Sequence, residues 1–97
     1  MILEHAVLQV KAGQSEAFLG AFQQAQPLIT SMHGFLWLQL HRCLESPDRF
    51  LLLVGWATVH DHVTGFRQSP QYLEWKRLLH HFYEPFPTVE HYESVVG

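Results

Sequence analysis

Eight histidines in a chain of 97 residues raise the question of a metal site or a proton-transfer site. On a helix, His60 and His62 would point roughly 200° apart, and two adjacent histidines roughly 100° apart. Neither spacing is the i,i+4 pair that holds zinc on one helix face, so the pattern predicts no metal. Hydrogen-bonded or solvated histidines explain most of the set. The eight are His5, His33, His41, His60, His62, His80, His81 and His91.

Large aromatic side chains indicate a second kind of chemistry, the binding of a planar ligand. The apolar run 50–56 ends in Trp56, at the point where a helix is predicted to begin. Residues next to strand ends often carry binding sites. Burial in the core is the alternative, since Tyr72 and Trp75 lie on a helical stripe expected to face a sheet. The aromatic candidates are Trp37, Trp56, Phe66, Tyr72 and Trp75.

The first half of the chain predicts a strand, a helix and a second strand. Apolar residues alternate over residues 2–10, which is typical of a strand with one buried face. Residues 14–32 have helical spacing, with Phe18, Phe22, Ala25 and Ile29 on one stripe and Ser15 as the expected N-cap. Pro27 is expected to kink this helix or to start a short second piece. Gly34 ends the helix, and residues 35–44 form the second strand.

The second half predicts a strand, a broken helix and a last strand. Residues 50–56 form the third strand, which a short connection joins to the second as an antiparallel hairpin. Thr58 with Asp61 resembles a capping box, so a helix should begin there. Ser69 followed by Pro70 is a stronger helix start, and Pro85 lies where that helix must stop. The last strand is expected from residue 87 or 88 to residue 96.

This order, β-α-β-β-α-β, predicts an α+β fold of the ferredoxin-like type, with a four-stranded antiparallel sheet and both helices on one face. A single domain should span residues 1–97. The third strand is apolar on both faces, and 47 % of the chain is hydrophobic against 15 % charged. Two helices cover only one face of a sheet. The sequence therefore predicts a homodimer in which two sheets pack face to face.

Charge and composition exclude several classes of function. The formal charge is −3 and the six Lys and Arg residues are scattered, so no basic stripe is available for nucleic acid. The run 49–56 also lacks the paired exposed rings of an RNA-recognition strand. The longest wholly apolar run has eight residues, too short to span a membrane. A lone Cys43 and the absence of a basic leader favour a cytoplasmic protein.

Several segments together resemble the antibiotic biosynthesis monooxygenase (ABM) domain of the dimeric α/β-barrel superfamily. They are the turn 11–13, the helix with Phe18 and Phe22, Gly34-Phe35 opening the second strand, Trp56 closing the third, and the segment 66–72. The resemblance covers nearly the whole chain. It implies a homodimer with a ligand cavity in each subunit between sheet and helices.

The resemblance also implies a class of reaction. Some family members oxidise small planar aromatic or quinone-like molecules with molecular oxygen, using no metal or flavin. In such chemistry the substrate supplies the electrons, so the protein must deprotonate it and hold the anion in a dry cavity. Because the family cavity lies beside the helix that follows Trp56, we expect His62 as the general base and Trp56 beside it as the catalytic residues. The expected substrate-binding residues are Trp37, Phe66, Tyr72, His5 and His41, and no cofactor is expected.

Two alternatives remain open on the sequence. The chain also fits a non-catalytic small-molecule-binding or structural homodimer of the same fold. A haem-degrading branch of the superfamily shares a tryptophan like Trp56, but it needs an iron-binding histidine about ten positions later and an asparagine in the first strand. Phe66 occupies the first of these positions, and the first strand contains no asparagine. Arg67 could hold an anionic oxygen, or pair with Glu74 if the helix break allows it, but the sequence favours a solvated arginine.

Overall fold

The computed structural model describes residues 1–97 and forms one four-stranded antiparallel sheet with its helices packed on one face. The strands lie in the order β2-β3-β1-β4, so β1 and β3 are central. The predicted β-α-β-β-α-β order is confirmed. The strands are β1 (Ile2–Gln9), β2 (Phe35–Arg42), β3 (Arg49–Trp56) and β4 (Val89–Tyr92). The helices are α1 (Ser15–Thr30), a π-helical segment (Asp61–Phe66), α2 (Pro70–Leu79) and a short 3-10 helix (His80–Phe82). None of these helices has the length and apolar character needed to cross a membrane.

The core lies between the sheet and the two long helices. Alternate residues of β1 and β3 point toward the helices, because side chains of a strand alternate between its two faces. The predicted stripe of α1 is buried against them, and Trp75 and Leu79 do the same from α2. Each large apolar side chain buried in this way contributes roughly 1.5–3 kcal/mol. The inward residues of the two central strands include Ala6, Leu8, Phe50, Leu52, Val54 and Trp56.

The helix boundaries correct two predictions. Ser15 is the first residue of α1 rather than its N-cap, and its hydroxyl donates to the Asp48 carboxylate instead of capping the helix. Pro27 does not start a second piece, because α1 continues through it to Thr30, and its missing N–H removes one bond in the last turn. The start at Ser69 is confirmed, since its side chain accepts a hydrogen bond from the Tyr72 N–H with Pro70 in the first turn.

Two strands are shorter than predicted. β4 ends at Tyr92 rather than at residue 96, because Tyr92 already pairs with Leu3 and β1 begins only one residue earlier. β2 ends at Arg42 rather than at residue 44, where the chain turns toward β3 and Leu44 is exposed. The edge strand β4 therefore extends only as far as β1 offers it a partner.

A bulge near the start of β2 decides which face its aromatic residues occupy. The register shifts between Phe35, which pairs with Trp56, and Trp37, which pairs with Gly55. Without the shift the two rings would share a face. Instead Phe35 contacts Trp56 in the core, with ring centroids 6.0 Å apart, while Trp37 lies on the outer face of the sheet. No helix covers that outer face.

Gly34 closes the connection from α1 to β2 and contacts the start of the π-helical segment. Its φ of +82° favours glycine, and its carbonyl accepts a hydrogen bond of 2.8 Å from the Ala57 N–H. A Cβ at this position would collide with the Asp61 side chain. Asp61 is in turn held by Thr58, whose hydroxyl accepts from the Asp61 N–H at 3.1 Å and donates to the Asp61 carboxylate at 2.8 Å. Only the first half of the predicted capping box forms, because the Asp61 side chain bonds the Thr58 hydroxyl rather than the Thr58 N–H.

Gly34→Ala should therefore destabilise the protein more than Gly13→Ala. Both glycines have positive φ, which costs alanine about 1 kcal/mol, but a Cβ at Gly13 meets nothing within 4 Å. We expect losses of about 2–3 kcal/mol for Gly34→Ala and about 1 kcal/mol for Gly13→Ala, measured by urea unfolding. Equal losses would show that the contact with Asp61 contributes nothing.

Candidate active site

A cavity of about 390 Å³ lies between the helix face of the sheet and α2. Its floor is formed by inward residues of β1 and β3, and its walls come from the π-helical segment, α2 and the chain that follows α2. This volume is at the lower end for small-molecule sites and suits a ligand of one or two rings. The lining residues are Glu4, Ala6, Leu8, Leu52, His62, Phe66, Arg67, Tyr72, Trp75, His80, Tyr83, Phe86, Pro87 and Val89.

Glu4 places a carboxylate where the strand pattern calls for an apolar side chain. It is only 5 % exposed and shares the inward face of β1 with Ala6 and Leu8. Its Oε1 accepts a 2.9 Å hydrogen bond from the Trp56 Nε1–H and lies 3.2 Å from the His62 Nε2. Burial raises the pKa of Glu4, while the Trp56 bond and the nearby Arg67 charge oppose that rise. Oε2 has no hydrogen-bond partner in the protein.

His62 links Glu4 to His91. It is 3 % exposed, its ring stacks on Trp56 with centroids 5.2 Å apart, and its Nδ1 lies 2.8 Å from the His91 Nε2. Burial, together with the positive charges of Arg67 and His91, lowers the pKa of His62 to about 3. The imidazole is therefore neutral at physiological pH, with one N–H and one bare nitrogen.

One tautomer of His62 satisfies all these contacts. If Nε2 carries the proton, it donates to Oε1 of Glu4, and Nδ1 accepts from the Nε2–H of His91. Oε1 then has two N–H donors, from Trp56 and His62, whether or not Oε2 carries a proton. A proton can thus arrive at Oε2 without any rearrangement of the surrounding hydrogen bonds.

The π-helical turn aligns Arg67 with His62. The Arg67 N–H bonds to the His62 carbonyl at 3.0 Å, five residues back. In an α-helix two such residues would point roughly 140° apart. The wider π turn brings them nearer to one face, and both side chains line the cavity. Arg67 therefore lines the cavity, whereas an ordinary α-helix would direct its side chain away from the cavity.

Two phenols and a second histidine complete the polar lining of the cavity. Burial raises the pKa of Tyr72 and of Tyr83, so both hydroxyls remain protonated donors. Burial also lowers the pKa of His80, with Lys76 adding to the effect. These groups surround the apolar rings of the cavity and leave Arg67 as its only Lys or Arg side chain.

The structure separates the residues that the sequence grouped together. His62, Phe66 and Tyr72 line the cavity. Trp56 is fully buried behind His62, on which its ring stacks, and it does not line the cavity.

The expectation that Trp37, His5 and His41 belong to this cavity is corrected. All three lie on the outer face of the sheet, because period two on β1 and the bulge on β2 turn them away from the helices. A second concavity of about 400 Å³ on that face is lined by His5 and His41.

Sequence reasoning expected His62 as the base and did not single out Glu4. Both nitrogens of His62 are engaged, whereas Oε2 of Glu4 has no hydrogen-bond partner in the protein. The available signal was the charge of Glu4 among the alternate residues of the first strand that are otherwise apolar. No three His, Cys, Asp or Glu residues are grouped in a way that could hold a metal ion. Phe66, where a haem-degrading relative has its ligand, is 2 % exposed and packs on Trp56 and Trp75.

The fold and this cavity define a ferredoxin-like α+β domain with an enclosed polar cluster beneath aromatic walls. The sequence model for antibiotic biosynthesis monooxygenases matches residues 1–78, so the chain belongs to the ABM family. It is 50 % identical over 95 residues to the uncharacterized protein YczJ of Bacillus subtilis, covering 98 % of this chain and all of that one.

Solved structures agree with this assignment. The fold matches a Bordetella bronchiseptica protein assigned to the same family, with a TM-score of 0.92 and 36 % identity over 98 % of this chain and 97 % of the other. A Nitrosomonas europaea structure, at 19 % identity and a TM-score of 0.84 over 99 % and 100 % of the two chains, shares the fold.

The burial of neutral His62 predicts a pH-dependent stability. The unfolded chain takes up a proton below about pH 6.5, whereas the native pKa is about 3, so the free energy of unfolding falls as the pH falls between these values. From pH 6.5 to pH 4 the wild type should lose about 3 kcal/mol more than His62→Gln, which does not titrate. Urea unfolding across this range measures the difference. His60→Gln, at an exposed site of the same segment, should retain the wild-type slope. A parallel slope for His62→Gln would contradict the account of this site.

Proposed function

We propose that this protein binds a small planar aromatic or quinone-like molecule and oxidises it with molecular oxygen, without a cofactor. The observation that carries the proposal is a buried Glu4 carboxylate in an aromatic-walled cavity, with its contacts to Trp56 and His62 made through Oε1 and none through Oε2. Family membership makes oxygen chemistry the reaction to test first. Phe66, Tyr72 and Trp75 provide flat apolar walls against which a ring can lie.

In this proposal Glu4 removes the proton of a phenol or hydroquinone. A carboxylate whose pKa is raised by burial is a stronger base than one in water, and its orientation is fixed by Trp56 and His62. The resulting phenolate carries an electron pair that it can give to oxygen. For a hydroquinone, loss of two electrons and two protons yields the quinone, and oxygen takes up both to form hydrogen peroxide. His62 and Trp56 act as positioning residues.

Glu4→Gln tests this assignment. The amide oxygen can still accept from Trp56 and His62, so the fold should persist, but the amide cannot take a proton. With a panel of hydroquinones and anthrone-like phenols, we expect oxygen uptake to fall by about 10²–10⁴-fold in kcat, with a smaller change in KM. Glu16→Gln, which neutralises an exposed carboxylate on α1, is the matched control and should retain wild-type turnover.

Three outcomes would count against parts of this proposal. Full turnover by Glu4→Gln would remove Glu4 from the reaction. Saturable binding by the wild type without oxygen uptake across the panel would favour the non-catalytic binding dimer. A Soret shift on adding haemin would instead support the haem-binding alternative.

We also propose that a second copy of the chain covers the outer face of the sheet. Val7 is 44 % exposed there, beside Leu51 and Leu53, and Nδ1 of His5 is buried without a hydrogen-bond partner. An apolar face of this kind is usually covered in folded proteins, and a sheet-on-sheet dimer would cover it.

Val7→Lys should therefore convert a dimer into a monomer. A lysine at this position would be buried between the two sheets of the proposed dimer, which is costly for a charged group. Sedimentation equilibrium at micromolar concentration measures the mass. Leu73→Lys, at a 68 % exposed position of α2, should leave the mass unchanged. A monomeric wild type would refute the dimer.

A further inference from the structure

We propose that the natural ligand of the cavity carries a carboxylate or comparable oxyanion on its ring system, and that Arg67 binds that group. This inference rests on the proposed binding of a planar aromatic molecule and specifies its chemical class: a hydroxylated aryl acid rather than a neutral phenol. Arg67 then determines specificity, while Glu4 faces the hydroxyl that loses its proton.

The first observation is that Arg67 has no partner within the protein. The arginine ion pairs of the chain join Arg42 to Glu16 and Arg77 to Glu74, both at the surface. The histidine pairs are His33 with Asp61 and, inside the cavity, His62 with Glu4. No carboxylate lies within 4.0 Å of the Arg67 guanidinium, although this side chain is half-buried and lines the cavity. A guanidinium keeps its charge in any protein environment and offers a planar fork of donors that fits a carboxylate.

The second observation is the charge of the groups around it. Burial lowers the pKa of His62 and raises that of both phenols, so these groups are neutral, and Arg67 is the only Lys or Arg side chain that lines the cavity. Its charge acts across the site, because it opposes the burial-driven rise in the pKa of Tyr72 and adds to the burial-driven fall in the pKa of His91. A cavity of this kind favours an anion over a cation of the same shape.

The third observation is the supply of further donors. Tyr72 and Tyr83 line the same cavity, and burial keeps both phenols protonated, so each has an O–H to donate. An oxyanion held by Arg67 could accept from such donors, whereas a neutral apolar ring would leave them without partners. The π turn aligns Arg67 with His62, so the group that binds the anion and the Glu4 cluster serve one ligand.

Calorimetric titration with a matched pair of probes tests the inference. The probes are 6-hydroxy-2-naphthoate and its methyl ester, which have the same ring and hydroxyl and differ in the charge of one group. We expect the wild type to bind the acid at least about tenfold more tightly than the ester, because a charge-assisted pair with Arg67 is available only to the acid.

Three variants assign this preference to Arg67. Arg67→Met should bind acid and ester with similar affinity, while Arg67→Lys, which keeps the charge, should retain part of the preference. Arg77→Met removes an exposed arginine of α2 and should behave as the wild type. Should Arg67→Met fail to fold, the ratio in the wild type and in Arg67→Lys still decides the question.

The outcomes separate this inference from the proposal on which it rests. Equal binding of acid and ester by the wild type would overturn the role of Arg67 and leave the aromatic site intact. A preference that survives in Arg67→Met would assign the anion to another group and would also overturn the inference. Binding of neither probe would count against the aromatic site itself, and the inference would fall with it.

Discussion

The burial of the Glu4 carboxylate is the constraint on which the arrangement of the site depends. A carboxylate removed from water must receive hydrogen bonds, and those available come from Trp56 on β3 and His62 on the π-helical segment. The requirement is mutual, since the indole N–H of Trp56 is also buried and needs an acceptor. His62 in turn contacts His91 on β4. Three elements that are distant in sequence are thus fixed around one oxygen atom, and His62 links them to β4.

The π-helical turn determines the position of Arg67. His62, which reaches Glu4, and Phe66, which packs beside Trp56 and Trp75, lie four residues apart and would share one face of an ordinary α-helix as well. What the π turn adds is the orientation of Arg67 toward the cavity that His62 lines. Such turns are uncommon and often lie at functional sites. Here the turn adds to the cavity lining its only Lys or Arg side chain.

The elements were predictable from sequence because their signals are local. Periodicity marked the buried stripe of α1, and Ser69 with Pro70 marked the start of α2. The end of β4 was missed because it depends on where β1 begins, and the outward position of Trp37 depends on a bulge that no spacing reveals. The contact of His62 with His91 spans 29 residues and requires the tertiary fold. The sequence shows Glu4 as a charged residue on an otherwise apolar strand face, but its contacts with Trp56 and His62 are seen only in the structure.

Packing alone gives no reason for an acid at position 4. An apolar side chain would continue the inward row of Ala6 and Leu8, and exchanging a buried polar cluster for well-packed apolar residues is often neutral or stabilising. Arg67 is also unfavourable for stability, because its charged guanidinium is half-buried and no carboxylate of the protein pairs with it. These two unfavourable placements lie in one cavity, beside aromatic walls and a free carboxylate oxygen. A ligand that meets both of them would supply the contacts that the protein itself gives neither to Oε2 of Glu4 nor to the Arg67 guanidinium.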